Sequence, residues 1–500
     1  MATERRWNLR NRVTVVGDHL DVVVVGAGIS GIGAAYHLLT RCPDRSFVVL
    51  EGRDDIGGTW DLFRYPGVRS DSDMHTLGYS FKPWTHEKSI ADGRSIMEYL
   101  RETVREFGIT SKIRFRTHVV SASWSTPDAR WTLTTRDTAS GSESTVTCNF
   151  LFMCSGYYSY KRGHEPEFPG RDRFRGRVVH PQAWPDDLDY TGKKVVVIGS
   201  GATAVTIVPA MADRAARVTM LQRTPTWMVS RPDIDKVANR LRKILPGRLA
   251  YSLTRYRNTA FQQLAYNRTR THPDRVRKFL LDEIRKELPE GYDVEKHFTP
   301  PYNPWDQRLC LVPNSDFFKG IKAGKVDVVT DKILTWTEDG IDLVSGEHLD
   351  ADIIITATGL ELVTLGEMDF TVDGEPVDFS KTWTYKGLAY SGVPNLVSTF
   401  GYINASWTLR ADLTSEYVCR LLNHMRAKGA TICRPTLRPE DSSMPQRRWI
   451  ENFSAGYMER VMHLFPRQGD REPWINPQNF KRDKKMFRES PIDDGVMVFG

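Results

Sequence analysis

The segment Gly26-Ala27-Gly28-Ile29-Ser30-Gly31 has the residue types and spacing of a turn that binds the pyrophosphate of a dinucleotide. It stands between a β-branched run at residues 20–25 and a helical pattern that extends to about residue 39. Gly26 permits the tight turn, Gly28 lets the backbone approach the pyrophosphate, and Gly31 lets the helix pack closely. Glu51 follows a second predicted strand, 20 residues beyond Gly31, where an acid accepts hydrogen bonds from the ribose hydroxyls. The strand, turn, helix and acid together predict a first dinucleotide site.

A second copy of this pattern, Gly199-Ser200-Gly201-Ala202-Thr203-Ala204, follows a predicted strand at residues 195–198. We expect a helix over residues 205–215 and a further strand over residues 218–221. That strand leads into Arg223 and Thr224, with no acid at the ribose position. Because a cation attracts the 2′-phosphate that a carboxylate would repel, the second site is predicted to prefer NADPH to NADH. The alternative is that Arg223 is a surface residue that closes the strand.

These two units place the chain in the α/β class, with two Rossmann-like dinucleotide-binding domains and a helical insertion. The expected order is a tail at residues 1–18, the first domain at 19–165, the second at 166–334, and a return to the first at 335–500. The helical insertion covers residues 231–295 of the second domain. A buried-strand run at residues 353–355 is expected to rejoin the first sheet, which would make the first domain discontinuous.

The composition is that of a globular protein, with 40% apolar and 26% charged residues in a chain of 500. No apolar run approaches the roughly eighteen residues of a transmembrane helix, and the N-terminus lacks the apolar stretch of a secretory signal. The six cysteines form no Cys-x-x-Cys pair and no metal-ligand spacing. This pattern argues against a bound metal and against the dithiol of a flavin disulfide reductase. We therefore expect a cytoplasmic protein without a metal site.

The net charge of +7 is concentrated in one segment. Residues 231–286 contain 15 lysines and arginines against five acids, so the rest of the chain is slightly negative. One interpretation is a solvated helical face. Another is peripheral contact with an anionic membrane surface. Nucleic acid is not expected as a partner, because the segment carries no recognition motif.

The segment from Phe174 to Pro185 fits the pattern F-x-G-x-x-x-H-x-x-x-W-P at every fixed position, which are Phe174, Gly176, His180, Trp184 and Pro185. In this the chain resembles the type I Baeyer–Villiger monooxygenases. Residues 57–71, with Gly58, Thr59, Trp60 and Asp71, and residues 352–359, with Ala357 and Gly359, fit two further signatures of that family. The resemblance covers about residues 21–483 and looks closest to the ethionamide-activating subgroup of actinobacteria.

The resemblance implies FAD at the first turn, NADPH at the second, and a catalytic arginine at Arg308. Asp71 matches the carboxylate that positions this arginine. Further positions implied at the cofactors are Gly58, Thr59, Trp60, Val119, Ala357 and Gly359, with Ala357 and Gly359 expected to let the backbone approach FAD. His180 and Trp184 are expected on the connection between the domains, in a conformational rather than an acid–base role. Many members have lysine before the arginine where this chain has Gln307, which leaves more of the phosphate recognition to Arg223 and Thr224.

The activity implied is oxygenation of a ketone to an ester or lactone with O₂ and NADPH, and oxidation of thioethers to sulfoxides is a further expectation. An enzyme of the flavin-containing monooxygenase type that oxygenates nitrogen or sulfur is the nearest alternative, although Trp184-Pro185 argues against it. A third is a flavin reductase or NADPH oxidase that never oxygenates its substrate.

Overall fold

The computed structural model describes residues 19–451 and 453–500, so the tail predicted at residues 1–18 lies outside the described residues. The largest sheet has nine strands and is built around His19–Val25, which runs parallel to Phe47–Leu50 on one side and to Glu143–Met153 on the other. Its other strands are Ile113–Arg114, Thr117–Ser125, Arg130–Asp137, Asp369–Val372, Glu375–Pro376 and Leu396–Ser398. The β-branched residues of the central strand are almost completely buried, as expected for a parallel strand covered on both faces.

The second sheet has five parallel strands in the spatial order Val326–Thr330, Arg217–Gln222, Lys194–Ile198, Ile353–Thr356 and Arg177–Val179. The strand expected to rejoin the first sheet is therefore in the second, and that prediction is wrong. Ile353 pairs with both Val195 and Arg177. The boundary drawn at residues 334/335 is wrong for the same reason, because the second sheet ends after Thr356. The chain does return to the first sheet, at residues 369–372 and 396–398.

Helices connect and cover these sheets. Ile29–Arg41 and Ala202–Met211 follow the two glycine-rich turns, and the second of these begins and ends earlier than the expected span of 205–215. The other helices are Thr59–Leu62, Met74–Leu77, Gly93–Glu106, Lys236–Ile244, Gly247–Thr271, Pro273–Glu287, Val294–Phe298, Asp316–Lys322, Trp407–Lys428, Gly456–Glu459 and Phe480–Arg488. The helical insertion is present, although its first residue, Arg231, ends a short strand.

Five smaller sheets lie outside these two among the described residues. The ribbon of Tyr158–Gly163 and Leu360–Leu362 lies where the chain passes between the sheets. Met228–Arg231 pairs with Cys310–Pro313 and so holds the loop before residue 310. The remaining small sheets are Ile333–Trp336 with Gly340–Leu343 and His348–Asp350, Thr384–Tyr385 with Ala389–Tyr390, and Cys433–Pro435 with Met497–Phe499.

All six cysteines are buried and unpaired. Among the described residues, no helix is both long enough and apolar enough to cross a membrane.

Candidate active site

A cavity of about 1360 Å³ lies between the two sheets and is lined by both glycine-rich turns. It opens at the carboxyl ends of the parallel strands, where open α/β sheets bind their ligands. Predicted site residues that line it are Gly26, Gly28, Ser30, Glu51, Gly58, Thr59, Trp60, Asp71, Val119, Gly199, Ser200, Gly201, Ala202, Thr203, Arg223, Thr224, Arg308, Ala357 and Gly359. The fold therefore brings most of the predicted site into one space.

The first turn is tight because Gly26 has a φ of +101° and its α-carbon lies against the chain at Cys154. A Cβ on Gly26 would stand 2.6 Å from the Cys154 carbonyl oxygen, and one on Gly31 would stand 1.8 Å from the Gly26 carbonyl oxygen. Gly31 is thus a packing position behind the turn, as its place in the motif predicts. The buried Glu51 accepts hydrogen bonds from the backbone N–H groups of Ala27 (2.7 Å) and Arg53 (2.9 Å). Burial raises the pKa of Glu51, and these two hydrogen bonds oppose the rise.

Gly28 precedes the first helix, and its nearest neighbour across the groove is Gly58, 3.7 Å from a Cβ built on Gly28. Gly58 has a φ of +57°. Two glycines that face one another leave the helix N-terminus open to an incoming phosphate. The groove fits a pyrophosphate for this reason.

The second turn repeats this arrangement. Gly199 has a φ of +130°, and a Cβ there would stand 2.3 Å from the Ala357 carbonyl oxygen. Gly201 precedes the helix Ala202–Met211, and a Cβ on it would meet no atom within 4 Å among the described residues. Ala357 thus packs on the second turn and not on the first, because its strand belongs to the second sheet. Ala204 is fully buried behind the turn.

Arg223 is exposed at the rim of the second turn, at the end of strand Arg217–Gln222. Ser200 fixes the neighbouring backbone by donating a hydrogen bond to the Thr224 carbonyl oxygen (2.9 Å). Within the described parts of the chain, Arg223 forms no ion pair within 4 Å. Its charge is therefore available to a ligand, as the predicted phosphate contact requires.

Arg308 and Asp71 both line the cavity, and Arg308 Nε lies 3.6 Å from Asp71 Oδ2. Burial alone would lower the pKa of Arg308, but the Asp71 carboxylate raises it above its ordinary value. The guanidinium is thus a permanent cation beside a single carboxylate. The carboxylate neutralises part of the charge and limits the orientations of the side chain.

The fingerprint residues 174–185 do not line the cavity. A Cβ on Gly176 would stand 2.3 Å from the Asp352 carbonyl oxygen, so this glycine lets the segment pack on strand Ile353–Thr356. Phe174 packs edge-on against Trp336, and Trp184, with Pro185 beside it, packs against the core of the second sheet. His180 Nδ1 accepts a hydrogen bond from Gln182 N–H, and Nε2 donates to the Gly359 carbonyl oxygen at 3.2 Å. Burial lowers the pKa of His180, which keeps the ring neutral.

Residues 20–291 match the family described as flavin-binding monooxygenase-like. The chain is 53% identical over 486 residues to the FAD-containing monooxygenase EthA of Mycobacterium tuberculosis. That alignment covers 96% of this chain and 98% of EthA. It is 48% identical over 482 residues to the probable FAD-binding monooxygenase AlmA of Acinetobacter baylyi, with 96% of each chain covered.

The chain belongs to the flavin-binding monooxygenase-like family. It is a flavin-dependent monooxygenase, as the resemblance predicts. Its fold is similar to that of an oxidised steroid monooxygenase bound to NADP, with a TM-score of 0.78, 24% identity and coverage of 96% and 99% of the two chains. A complex of OTEMO with FAD and NADP gives a TM-score of 0.66 at 25% identity and covers 83% of this chain and 88% of that one.

Four aromatic residues of this monooxygenase surround the Arg308 pair, and sequence reasoning assigned no role to any of them. Tyr157 stacks on Trp407 with 5.0 Å between ring centroids, and its hydroxyl is 2.7 Å from that of Tyr158. Trp407 donates a hydrogen bond from Nε1 to Ser30 Oγ (2.7 Å) and so connects this wall to the first turn. Tyr457 approaches from a short helix near the C-terminus. The sequence contained one indication that Tyr157 and Tyr158 belong to the site. They follow the carboxyl end of a parallel strand, where ligands bind.

Proposed function

We propose that this enzyme is a Baeyer–Villiger monooxygenase that converts ketones to esters or lactones with O₂ and NADPH. Its cofactors are FAD, held at the turn of Gly26 and Gly28, and NADPH, held at the turn of Gly199 and Gly201. The observation that carries the proposal is the Arg308–Asp71 pair, which lies in the cavity that both turns line.

The residues of the chain have separate tasks in this reaction. When bound, NADPH supplies a hydride and FAD passes the electrons to O₂. Arg308 provides a fixed positive charge where negative charge develops on oxygen, and a preorganised charge acts without reorganisation. Asp71 holds the guanidinium in place.

The cavity wall supports the same chemistry by excluding water. Tyr157, Tyr158 and Trp407 place aromatic surface on one side of Arg308. Burial raises the pKa of Tyr157, so its hydroxyl stays protonated at neutral pH. The wall therefore adds no competing anion next to the guanidinium.

The test is a substrate panel of linear, cyclic and aryl ketones and of thioethers, with NADPH consumed, hydrogen peroxide released and product formed measured in one reaction. We expect a lactone from cyclic ketones in near-equal amount to the NADPH consumed, with one oxygen atom from ¹⁸O₂. Sulfoxide from the thioethers is expected as a second product class of the same site.

Two outcomes would contradict the proposal. Sulfur or nitrogen oxygenation without any ester or lactone would assign the chain to the other branch of flavin monooxygenases. Hydrogen peroxide alone, across the whole panel, would assign it as an NADPH oxidase. A control without NADPH separates enzymatic product from spontaneous oxidation.

A further inference from the structure

One surface of the molecule carries an unusual share of exposed apolar side chains. It is the outward side of helices Lys236–Ile244, Gly247–Thr271 and Pro273–Glu287, here called the basic-apolar face. Eight of the thirteen large apolar side chains exposed in the described residues lie on it: Val237, Ile244, Leu249, Leu253, Tyr256, Phe261, Leu264 and Phe279. None of them lines the active-site cavity. Such clustering marks an interaction surface, whereas single exposed apolar residues are ordinary.

The long helix of this face, Gly247–Thr271, has a row of apolar side chains on the side that faces the solvent. Leu249, Leu253, Tyr256 and Leu264 are spaced by four, three and eight residues, which places them in one row along the helix. Tyr256 is 77% exposed. The opposite side is buried through Tyr251 and Thr254 and so already serves the packing of the protein. The outward row is therefore apolar surface with no partner in the described part of the chain.

The same three helices carry many cations. Between residues 236 and 279 the sequence has twelve lysines and arginines and a single acid, Asp274. Seven of the cations are exposed and form no ion pair within 4 Å among residues 19–451 and 453–500: Lys236, Arg240, Lys243, Arg248, Arg268, Arg275 and Lys278. The positive charge of the face is thus not neutralised by the protein itself.

We propose that the basic-apolar face binds the surface of an anionic lipid bilayer. Apolar side chains that enter the boundary between headgroups and acyl chains, combined with lysines and arginines beside them, are the two components of peripheral membrane binding. A second copy of this chain is a poor occupant, because a two-fold interface would bring the same uncompensated cations against each other. A bilayer with anionic headgroups accommodates the apolar side chains at its acyl boundary and provides the negative charge for the cations. A helix that crosses the membrane is not required.

The inward side of the same helix braces the catalytic loop. Tyr266 meets Trp305 edge-on at 6.0 Å between ring centroids, and Arg270 pairs with Asp306 at 2.6 Å. Asp306 is two residues before Arg308. Residues of the outward row make none of these contacts, so substituting them leaves the loop intact. NADPH turnover therefore reports whether variants of the basic-apolar face are folded.

The experiment is cosedimentation of the FAD-loaded enzyme with two kinds of vesicle, one of phosphatidylcholine alone and one of equal parts phosphatidylcholine and phosphatidylglycerol. We expect roughly tenfold or stronger binding to the anionic vesicles, and a marked loss of that binding in high salt. Two triple variants test the two components: Leu253→Asp with Tyr256→Asp and Leu264→Asp, and Lys236→Glu with Arg240→Glu and Lys243→Glu. Each should reduce the binding by roughly tenfold while NADPH turnover and the unfolding temperature stay unchanged.

Matched controls lie elsewhere on the surface. Leu334, on the strand Ile333–Trp336, is 57% exposed, and Val344, directly after the strand Gly340–Leu343, is 59% exposed. Lys322 and Lys325 are exposed cations on the second domain. Leu334→Asp with Val344→Asp, and Lys322→Glu with Lys325→Glu, should leave vesicle binding as in the wild type. Equal binding to both kinds of vesicle, binding to neither, or equal losses in the control variants would overturn the proposal. So would light scattering that shows a dimer dissociated by the Leu253 triple variant, because the face would then be an interface between copies.

Discussion

At the catalytic pair, burial and charge act on Arg308 in opposite directions. The partly buried guanidinium loses some of its hydration, and the Asp71 carboxylate 3.6 Å away compensates for part of that loss. The two residues are 237 positions apart in the sequence, so only the fold brings them together. Their proximity could be predicted from the family resemblance and from nothing local. The tyrosines around them were missed because no spacing rule connects residues 157–158 with residue 457.

Replacing Arg308 should separate reduction of the flavin from oxygenation of the substrate. Hydride transfer to the flavin needs no stabilised oxygen anion, whereas oxygenation does. Arg308→Ala should therefore keep FAD and consume NADPH, but lose ester formation by roughly a hundred- to thousandfold and release hydrogen peroxide instead. Asp71→Ala should give the same change more mildly, because Asp71 only positions the arginine. The measurement is the ratio of NADPH consumed to peroxide and ester formed, and near-normal ester yield from Arg308→Ala would place the catalytic centre elsewhere.

Arg223 offers a second test at the same scale. Its side chain is exposed at the rim of the second turn without an ion-pair partner in the described residues, so substitution costs the fold little. Arg223→Ala should raise the KM for NADPH by roughly ten- to hundredfold and change that for NADH little, because only NADPH carries the 2′-phosphate. Arg217→Ala, on the same strand but paired with Asp327, is the matched control. A similar change for both cofactors would show that the arginine does not contact the phosphate.

At the scale of elements, the glycine-rich turns were predictable and the sheet assignment was not. Each turn is specified by glycines at fixed positions between a strand and a helix, all within about 30 residues. The run at residues 353–355 is a buried β-branched strand that would suit either sheet. Which sheet it joins depends on Gly176, which lets residues 174–177 pack beside it, and on Ala357, which closes on Gly199. Both are contacts between distant segments, and local periodicity carries no information about them.

The two turns predict a matched pair of phenotypes. Gly28 and Gly201 both have extended backbone conformations that any residue adopts, and a Cβ on either meets nothing closer than 3.7 Å. Valine should therefore be tolerated by the fold at each position but obstruct the cofactor. Gly28→Val should be purified colourless, whereas Gly201→Val should remain yellow and show a raised KM for NADPH. The absorbance spectrum with the unfolding temperature measures the outcome, and an FAD-replete Gly28→Val protein would refute the assignment of the first turn.

At the scale of the whole molecule, the antiparallel strand pair at residues 158–163 and 360–362 lies where the chain passes between the two sheets. The His180 ring lies against it, with a Cβ on Gly163 only 1.8 Å from the ring carbon Cε1. Both ring nitrogens are used by the backbone, at Gln182 and Gly359. We therefore expect the fingerprint segment to act through the packing between domains and not through the cavity.

Gly163→Ala should displace the His180 ring, since the new methyl group would occupy the same space. We expect FAD to be retained but the yield of product per NADPH to fall, because the two domains no longer meet in the productive arrangement. His180→Ala should reproduce this loss, and the double variant should be no worse than either single one, as expected for residues that act through one contact. Additive losses, or loss of FAD, would show that Gly163 matters for another reason.

The burial of the two thiols beside the cavity has a consequence for the lifetime of the enzyme. Cys154 and Cys310 border the cavity, where uncoupled turnover would generate an oxidant, yet burial raises the pKa of each to about 12. At neutral pH both groups are therefore thiols and not the thiolate that peroxide attacks. These two cysteines should therefore resist the by-product of uncoupled turnover, and a cysteine engineered onto the surface would react with a thiol-directed label before either of them.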